Sequence, residues 1–139
     1  MSVAPKISDA DFERLLEFRI GLRRFLHWSE EQAAAAGLTP MQHQLLLAIR
    51  GSRGRLGPTV GEVAEMLLIR HHSAVGLIDR AEAAGFVRRR VDRSDQRIVR
   101  LRLTPLGSRR LDRLSAAHLE ELTRLRPHLH AIWDDLPER

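Results

Sequence analysis

The segment RRRVDRSDQRIVRLRLT, residues 88–104, contains seven arginines and only two acidic residues. Its second half alternates apolar and charged residues, namely Val99, Arg100, Leu101, Arg102 and Leu103. Strict alternation is typical of a strand with one buried face, and the polar run 92–96 is typical of a hairpin loop. The segment therefore predicts two antiparallel strands, residues 86–91 and 97–103, with a strongly basic surface.

Four helices are predicted before this hairpin, and their starts are marked by capping residues. Ser8 and Asp11 have the spacing of a capping box, as do Thr59 and Glu62. Thr39 is an N-cap followed by a proline at the first helical position. The predicted helices run from Ser8 to Gly37, over 40–51, over 60–67 and from the turn at 68–70 to Ala84, where Gly85 ends the last of them.

An N-cap residue followed by proline also predicts a helix after the hairpin. Thr104 followed by Pro105 opens a helical pattern that extends to about Leu122. Pro127 interrupts the pattern, so we expect a separate last helix to begin near it and to run through Trp133.

Charge is concentrated in one part of the chain. The net charge is +5, but residues 86–110 contain nine arginines and two acids, a local balance of +7. A concentrated basic patch indicates a partner with many negative charges. The alternative is a compositional preference, because lysine occurs once and arginine 22 times. Such a preference explains the choice of arginine over lysine but not the clustering.

Composition limits the class of protein. A chain of 139 residues with 43% hydrophobic residues is long enough for one domain with a core. The absence of cysteine excludes disulfides and thiolate metal sites. No apolar run is long enough for a membrane span, and no signal segment opens the sequence, so we expect no membrane association and a cytoplasmic location.

The order of the predicted elements points to a winged helix-turn-helix. Two short helices joined by a tight turn are followed at once by a basic hairpin, the wing. A helix fits the major groove of DNA, and its N-terminal residues reach the base edges. The predicted fold is therefore mainly α with a small β-hairpin wing. The first helix is apolar around much of its girth, which also predicts a partner chain.

Five segments in this order resemble the MarR family of transcription regulators. They are TVGEVA at 59–64, RHHSAVGLIDR at 70–80, GFV at 85–87, DQR at 95–97 and LTPLG at 103–107. The D-x-R pattern followed by a strand and L-T-x-x-G is the most specific part. The resemblance covers nearly the whole chain.

The resemblance implies an intertwined α-helical homodimer on double-stranded DNA. Residues 1–38 and 105–139 would be the dimerisation helices, and residues 39–104 the winged helix-turn-helix domain. It further implies a sequence-specific regulator of transcription, usually a repressor on a palindromic operator, and often one that responds to a small ligand.

The expected DNA-binding residues lie on the second helix of the motif, at the start of the first, and on the wing. They are Thr59, Arg70, His71, His72, Ser73, Gly76, Arg88, Arg90, Arg93 and Arg97. Asp95 matches the acid that orients the wing. Arg80 is left between two interpretations, a phosphate contact and a salt bridge that orients the wing. Arg100 and Arg102 are interpreted more simply as keeping the wing's outer face soluble.

An effector pocket is predicted near the junction of the first two helices. Phe25, His27, Trp28 and His43 would line it, and they suit a small aromatic or anionic ligand. The alternative for Trp28 is a place in the dimer core.

Other function classes have weaker support. His118, His128 and His130 raise the question of a metal, but the His-x-His pair points to different faces of a helix. We expect no metal, no cofactor and no catalytic residues, because no nucleophile elbow or phosphate-binding glycine loop is present. Two alternatives remain: a winged-helix module that binds protein or RNA without an operator, and a metal-sensing regulator that uses the histidines.

Overall fold

Five helices and one two-stranded sheet make up the part of the chain that the computed structural model describes, residues 3–54 and 56–136. In chain order they are α1 (Asp9–Ala35), α2 (Pro40–Gly51), α3 (Val60–Leu67), α4 (His71–Ala83), β1 (Val87–Val91), β2 (Val99–Leu103) and α5 (Pro105–Asp134). The strands are antiparallel, and Arg89 faces Leu101 at the centre of the register. The predicted mainly helical fold with a hairpin wing is confirmed.

The predicted helix starts are confirmed by their capping bonds. Ser8 and Thr39 each form a reciprocal capping box. The hydroxyl of Thr59 accepts a hydrogen bond from the backbone of Glu62 at 3.2 Å. The hydroxyl of Thr104 accepts one from Gly107 at 3.0 Å. These bonds satisfy backbone N–H groups that have no partner inside the helix.

The predicted break at Pro127 is wrong. A single helix, α5, runs from Pro105 to Asp134 with the proline inside it. Proline removes one backbone hydrogen bond, but packing on either side can hold the helix together. Beyond the proline, Ile132 is buried and the Trp133 ring meets Phe18 of α1 edge-on at 5.8 Å. Contact with α1 therefore keeps the last two turns helical.

The core joins the hairpin to the helices. Leu45, Val63, Ile78 and Leu101 are fully buried in one cluster that draws on α2, α3, α4 and β2. The backbone of Leu101 also donates a hydrogen bond to the carbonyl of Pro58 at 2.8 Å. Thr59, just before α3, forms an isolated bridge with Arg100. The wing is thus fixed to the start of α3 by backbone contacts as well as by side chains.

Gly107 has a packing reason to be glycine. A Cβ at this position would lie 2.2 Å from the carbonyl oxygen of Phe86. Because α5 begins against the strand entry at this point, no side chain fits between the two backbones. The last glycine of the LTPLG segment therefore allows α5 to pack against the base of the wing.

The outer faces of α1 and α5 are apolar and uncovered. Phe12, Leu15 and Leu16 of α1 and Leu119 and Trp133 of α5 are each more than half exposed. In the described part of the chain, no helix combines the length and apolarity needed to cross a membrane. An uncovered apolar surface of this extent is a candidate for contact with another protein surface.

Candidate nucleic-acid interface

The N-terminal end of α4 is exposed and lacks a side-chain cap. Arg70 is the N-cap residue, and its side chain makes no capping hydrogen bond. His71, His72 and Ser73 follow it in the first turn, and all three are exposed. Uncapped N–H groups and the positive end of the helix dipole attract anions. This end of α4 thus has the donors and the exposure that a phosphate or a base edge requires.

The wing is ion-paired to α4 through Arg89. Its Nη2 lies 2.5 Å from Asp79 Oδ1, and its Nη1 lies 2.8 Å from Glu82 Oε1. The backbone of Arg89 also donates a hydrogen bond to Glu82 at 3.3 Å. We call Arg89, Asp79 and Glu82 the Arg89 cluster. These partners hold the pKa of the Arg89 guanidinium above its ordinary value, against the opposing effect of its partial burial.

The salt bridge considered for Arg80 is not found. Within the described residues, the side chain of Arg80 has no hydrogen-bonded or ion-paired partner, and Arg89 makes the bridge between α4 and the wing instead. Asp79 and Glu82 lie toward the wing, where β1 brings Arg89 beside them. The Arg80 guanidinium lies near Gly76, whose missing Cβ would be 3.2 Å from Nη1.

The wing tip is organised by a buried carboxylate that sequence reasoning did not single out. The Asp92 side chain is only 3% exposed. It accepts hydrogen bonds from the hydroxyl and backbone of Ser94, from the backbone of Asp95 and from Arg100 Nε. These donors, those of Ser94 first and that of Arg100 next, hold the pKa of Asp92 far below its usual range.

Arg100 has a structural role in addition to its charge. Its Nε lies 2.7 Å from Asp92 Oδ2, and its Nη1 donates a hydrogen bond to the carbonyl of Gly57 at 3.0 Å. The side chain is three-quarters buried. It therefore joins the wing tip to the loop before α3, a role that the alternating strand pattern did not reveal.

Asp95 and Arg97 form the contact expected of them at the tip. Asp95 accepts a bond from the Arg97 backbone at 3.0 Å, and its carboxylate receives both Nε and Nη2 of Arg97. The guanidinium lowers the pKa of Asp95. Arg97 itself is 90% exposed. The pairing fixes the direction of the Arg97 side chain while leaving it open to solvent.

One face of the wing consists of paired arginines. Arg88 faces Arg102 and Arg90 faces Arg100 across the two strands. Like charges directly opposite each other in a sheet destabilise it. Asp92 pairs with Arg100, and Arg88, Arg90 and Arg102 are exposed. This arginine face concentrates positive charge, which suits a bound polyanion.

Arg93 and Thr59, two other residues expected to contact DNA, differ in exposure and in the charge beside them. Arg93 is exposed at the tip, beside a depression of about 370 Å³ that Arg90 and Arg102 also line. Thr59 is half-buried, and its hydroxyl both caps α3 and donates a hydrogen bond to the Glu62 carboxylate at 3.2 Å. An acid lies beside Thr59, so it is the less favourable of the two for a phosphate.

Three of the four residues predicted for an effector pocket come together around a residue that the prediction omitted. The ring of His118, from α5, lies 4.8 Å from Trp28, 4.8 Å from His43 and 6.0 Å from Phe25. Its Nε2 is 2.7 Å from the Ser29 hydroxyl. We call this group the His118 cluster.

His27 does not belong to the His118 cluster. It is three-quarters exposed and lies 2.9 Å from Glu31, one turn further along α1. His43 is buried, and this burial first, together with the nearby charge of His118, lowers its pKa. No group of three metal-ligating side chains exists among residues 3–54 and 56–136. His128 and His130 are exposed near the end of α5.

The sequence and the fold of this chain are similar to those of known proteins. Residues 36–98 match the family model described as MarR family. AbsC, a MarR family transcriptional regulator from Streptomyces coelicolor, is 21% identical over 91% of this chain and 84% of its own, with a TM-score of 0.74. A MarR family protein from Bacillus stearothermophilus is 25% identical over 86% of this chain and 82% of its own, with a TM-score of 0.71.

A third similar structure contains DNA. It is a mutant of MepR from S. aureus bound to an oligodeoxyribonucleotide, 16% identical over 96% of this chain and 87% of its own, with a TM-score of 0.66. No curated protein matches the sequence.

Proposed function

We propose that this chain is a MarR-type transcription regulator that binds duplex DNA as a homodimer, supported by the match of residues 36–98 to the family model and by similar solved structures. The observation that carries the proposal is the arginine face of the wing, with Arg88 opposite Arg102 and Arg90 opposite Arg100. Such a concentration of guanidinium groups suits a polyanion. The Arg89 cluster joins the wing to α4, whose exposed N-terminal end suits the major groove.

The proposed division of labour follows from exposure and charge. Arg88, Arg90, Arg93 and Arg97 are exposed, and we assign them to the phosphates and the minor groove. The exposed first turn of α4 is assigned to the major groove; it comprises His71, His72 and Ser73, with Arg70 before it. Gly76 lies one turn further along. Asp95 positions Arg97, whereas Thr59 contributes less because Glu62 lies beside its hydroxyl.

The homodimer is proposed from the uncovered faces of α1 and α5. These faces carry exposed apolar residues, Phe12, Leu15, Leu16, Leu119 and Trp133 among them, on two long helices that pack against each other. Segments 1–38 and 105–139 would form the dimer body, and segment 39–104 the DNA-binding domain. Two copies related by a twofold axis would place their recognition helices about 10 bp apart on DNA.

Repression and effector control are the finer part of the proposal. The His118 cluster lies where α1, α2 and α5 meet, between the proposed dimer body and the DNA-binding domain. Its rings suit a small aromatic or anionic ligand, which would have to displace the bonds that His118 makes to the Ser29 hydroxyl and the Leu114 carbonyl. Such a ligand would change how the two parts are held together and so change DNA binding. A thermal shift screen over phenolic acids tests this; no stabilisation by any of them contradicts it.

A gel-shift titration tests the DNA-binding proposal. The purified protein is titrated against the intergenic DNA beside its own gene and against an unrelated duplex, at about 150 mM salt, an ionic strength near physiological. We expect a shift of the first duplex that survives competitor. With about 6–10 phosphates neutralised, affinity should fall roughly 10³- to 10⁵-fold between about 50 and 200 mM salt. Equal weak binding to both duplexes would favour the alternative of a module for another anionic partner such as RNA.

A further inference from the structure

We propose that Arg80 is the residue of α4 that selects a guanine in each half-site, reaching it across Gly76. The proposal rests on the DNA-binding function above and assigns a base-reading role within it. Three observations support it: the pairing of the α4 acids with Arg89, the position of the Arg80 guanidinium, and the absence of a side chain at Gly76.

The Arg80 guanidinium forms no ion pair among the described residues, although two acids lie close to it in sequence. Asp79 Oδ1 and Glu82 Oε1 are both engaged by Arg89, at 2.5 and 2.8 Å. The side chain of Arg80 is exposed and has no ion-paired partner among the described residues. The Arg89 cluster thereby engages both acids of α4, so that neither is ion-paired with Arg80. The Arg80 guanidinium keeps its donors open to an anion or a base acceptor.

Gly76 determines where the Arg80 side chain lies. A Cβ at position 76 would stand 3.2 Å from Arg80 Nη1, closer than most such contacts. The guanidinium therefore follows the helix surface toward the N-terminal end of α4, in the space that a larger residue would fill. His72, Gly76 and Arg80 are spaced four apart and form one row along the helix. The buried side of α4 is elsewhere, at Ala74, Leu77, Ile78 and Ala81.

The chemistry of the guanidinium favours guanine. Its planar donors match the N7 and O6 acceptors of guanine in the major groove, and this pairing is the commonest specific contact between proteins and DNA. We assign the phosphates that flank the groove to the wing arginines and to the uncapped start of α4. Arg80 is exposed on the surface of the same helix, which leaves it for a base edge.

The experiment selects binding sites from a pool of random duplexes with the wild-type protein, Arg80→Ala, Arg80→Lys and a control, Arg109→Ala. Arg109 is exposed at the start of α5 and outside the proposed site. Selected sequences are compared position by position, and dissociation constants are measured for the selected duplex and for duplexes with each guanine pair replaced. Thermal melting of every variant checks that it is folded.

The expected result is a loss of guanine preference at one symmetry-related position per half-site in Arg80→Ala, with the other positions retained. At that position the wild type should bind the duplex with guanine about 10- to 100-fold more tightly than duplexes with another base pair. Arg80→Ala should bind them with nearly equal dissociation constants. Arg80→Lys should keep overall affinity better than it keeps the preference, because a single ammonium lacks the paired donors. Arg109→Ala should select the wild-type sequence.

A second variant tests the role of the glycine while leaving Arg80 in place. Gly76→Ala favours the helix, so loss of folding is not expected, but its Cβ, 3.2 Å from Arg80 Nη1, would shift the guanidinium by a few tenths of an ångström. We expect it to weaken the same guanine preference.

Two results overturn the inference alone: an unchanged preference in Arg80→Ala, and an equal loss of affinity for every sequence, which would identify a phosphate contact. If the wild type selects no sequence at all, the proposed function fails and the inference fails with it. These outcomes are distinguished by the wild-type selection.

Discussion

Asp79 in α4 and Arg89 in β1 are joined by an ion pair of 2.5 Å, so the helix proposed for the major groove and the strand of the wing share one side-chain contact. Glu82 receives the other arm of the same guanidinium. The two elements are separated along the chain only by the turn at Gly85, whose φ of +85° favours glycine. Their relative position is thus set by that turn and by the Arg89 cluster.

Replacing Arg89 by alanine should lower both stability and DNA affinity. The guanidinium is 28% exposed, so its ion pairs are partly screened and should contribute only about 1 kcal/mol. That corresponds to a fall in melting temperature of about 4 °C for a domain of this size. Thermal melting and gel-shift titration measure the two effects.

Arg88→Ala is the matched variant, because Arg88 lies next in the strand but on the arginine face. It should lower DNA affinity without lowering the melting temperature, because it removes one of two like charges that face each other. Equal melting temperatures for wild type and Arg89→Ala would contradict a structural role for the Arg89 cluster.

Gly107→Ala should destabilise the protein strongly. The added Cβ would lie 2.2 Å from the carbonyl oxygen of Phe86, and the backbones must separate to admit it. Overpacking of this kind costs about 1–3 kcal/mol. Gly51→Ala is the control, because nothing lies within 4 Å of its Cβ position. Urea unfolding of the two variants should show a lower midpoint for Gly107→Ala only; similar midpoints would show that α5 can move away from the wing at no cost.

Acidification should destabilise the fold through His43. Burial and the nearby His118 place its folded-state pKa below the usual value of about 6.5. The unfolded chain therefore takes up a proton at His43 at a higher pH than the folded chain does. Stability is fully present above pH 6.5 and declines as the pH falls below it, until the folded-state pKa is reached.

Urea unfolding between pH 7.5 and pH 5 measures this dependence, with His43→Leu as the comparison. The variant should lose the part of the pH dependence that belongs to His43, at most about 1.4 kcal/mol per pH unit. A wild-type slope that survives unchanged in His43→Leu would assign the effect to another group. The NMR titration of the His43 ring proton reports its pKa directly.

A charge placed on the outer face of α5 should dissociate the proposed dimer. Leu119 is 65% exposed, and Leu119→Glu would bury an unpaired carboxylate in an interface between copies. Leu68→Glu is the control, since Leu68 is 91% exposed in the turn between α3 and α4. Light scattering should give the mass of one chain for Leu119→Glu and of two for Leu68→Glu and the wild type. A dimeric Leu119→Glu would place the interface elsewhere.

The sequence predicts the helix starts and the hairpin well because their signals are local. Ser8, Thr39, Thr59 and Thr104 each bond the residue three positions later, and no distant part of the chain is needed for that bond. The alternation of Val99 to Leu103 likewise depends only on the two faces of a strand.

The features that the sequence did not predict depend on distant contacts. Pro127 lies inside α5 because Trp133 packs on Phe18, more than 100 positions earlier. The choice of Arg89 over Arg80 as the partner of Asp79 depends on the turn that brings β1 back beside α4. His118 joins Trp28 and His43 only when α5 crosses the first two helices, and its sequence neighbours give no sign of it.

The bridge between Thr59 and Arg100 has a consequence for the order in which the domain folds and opens. It joins residues about 40 positions apart, so it forms only after the intervening loop has closed. The first turn of α3 and the second strand of the wing should therefore gain protection from hydrogen exchange together and lose it together, as one cooperative unit. Local opening at the base of the wing would therefore also expose the backbone at Thr59, which follows the loop at Gly57 and Pro58.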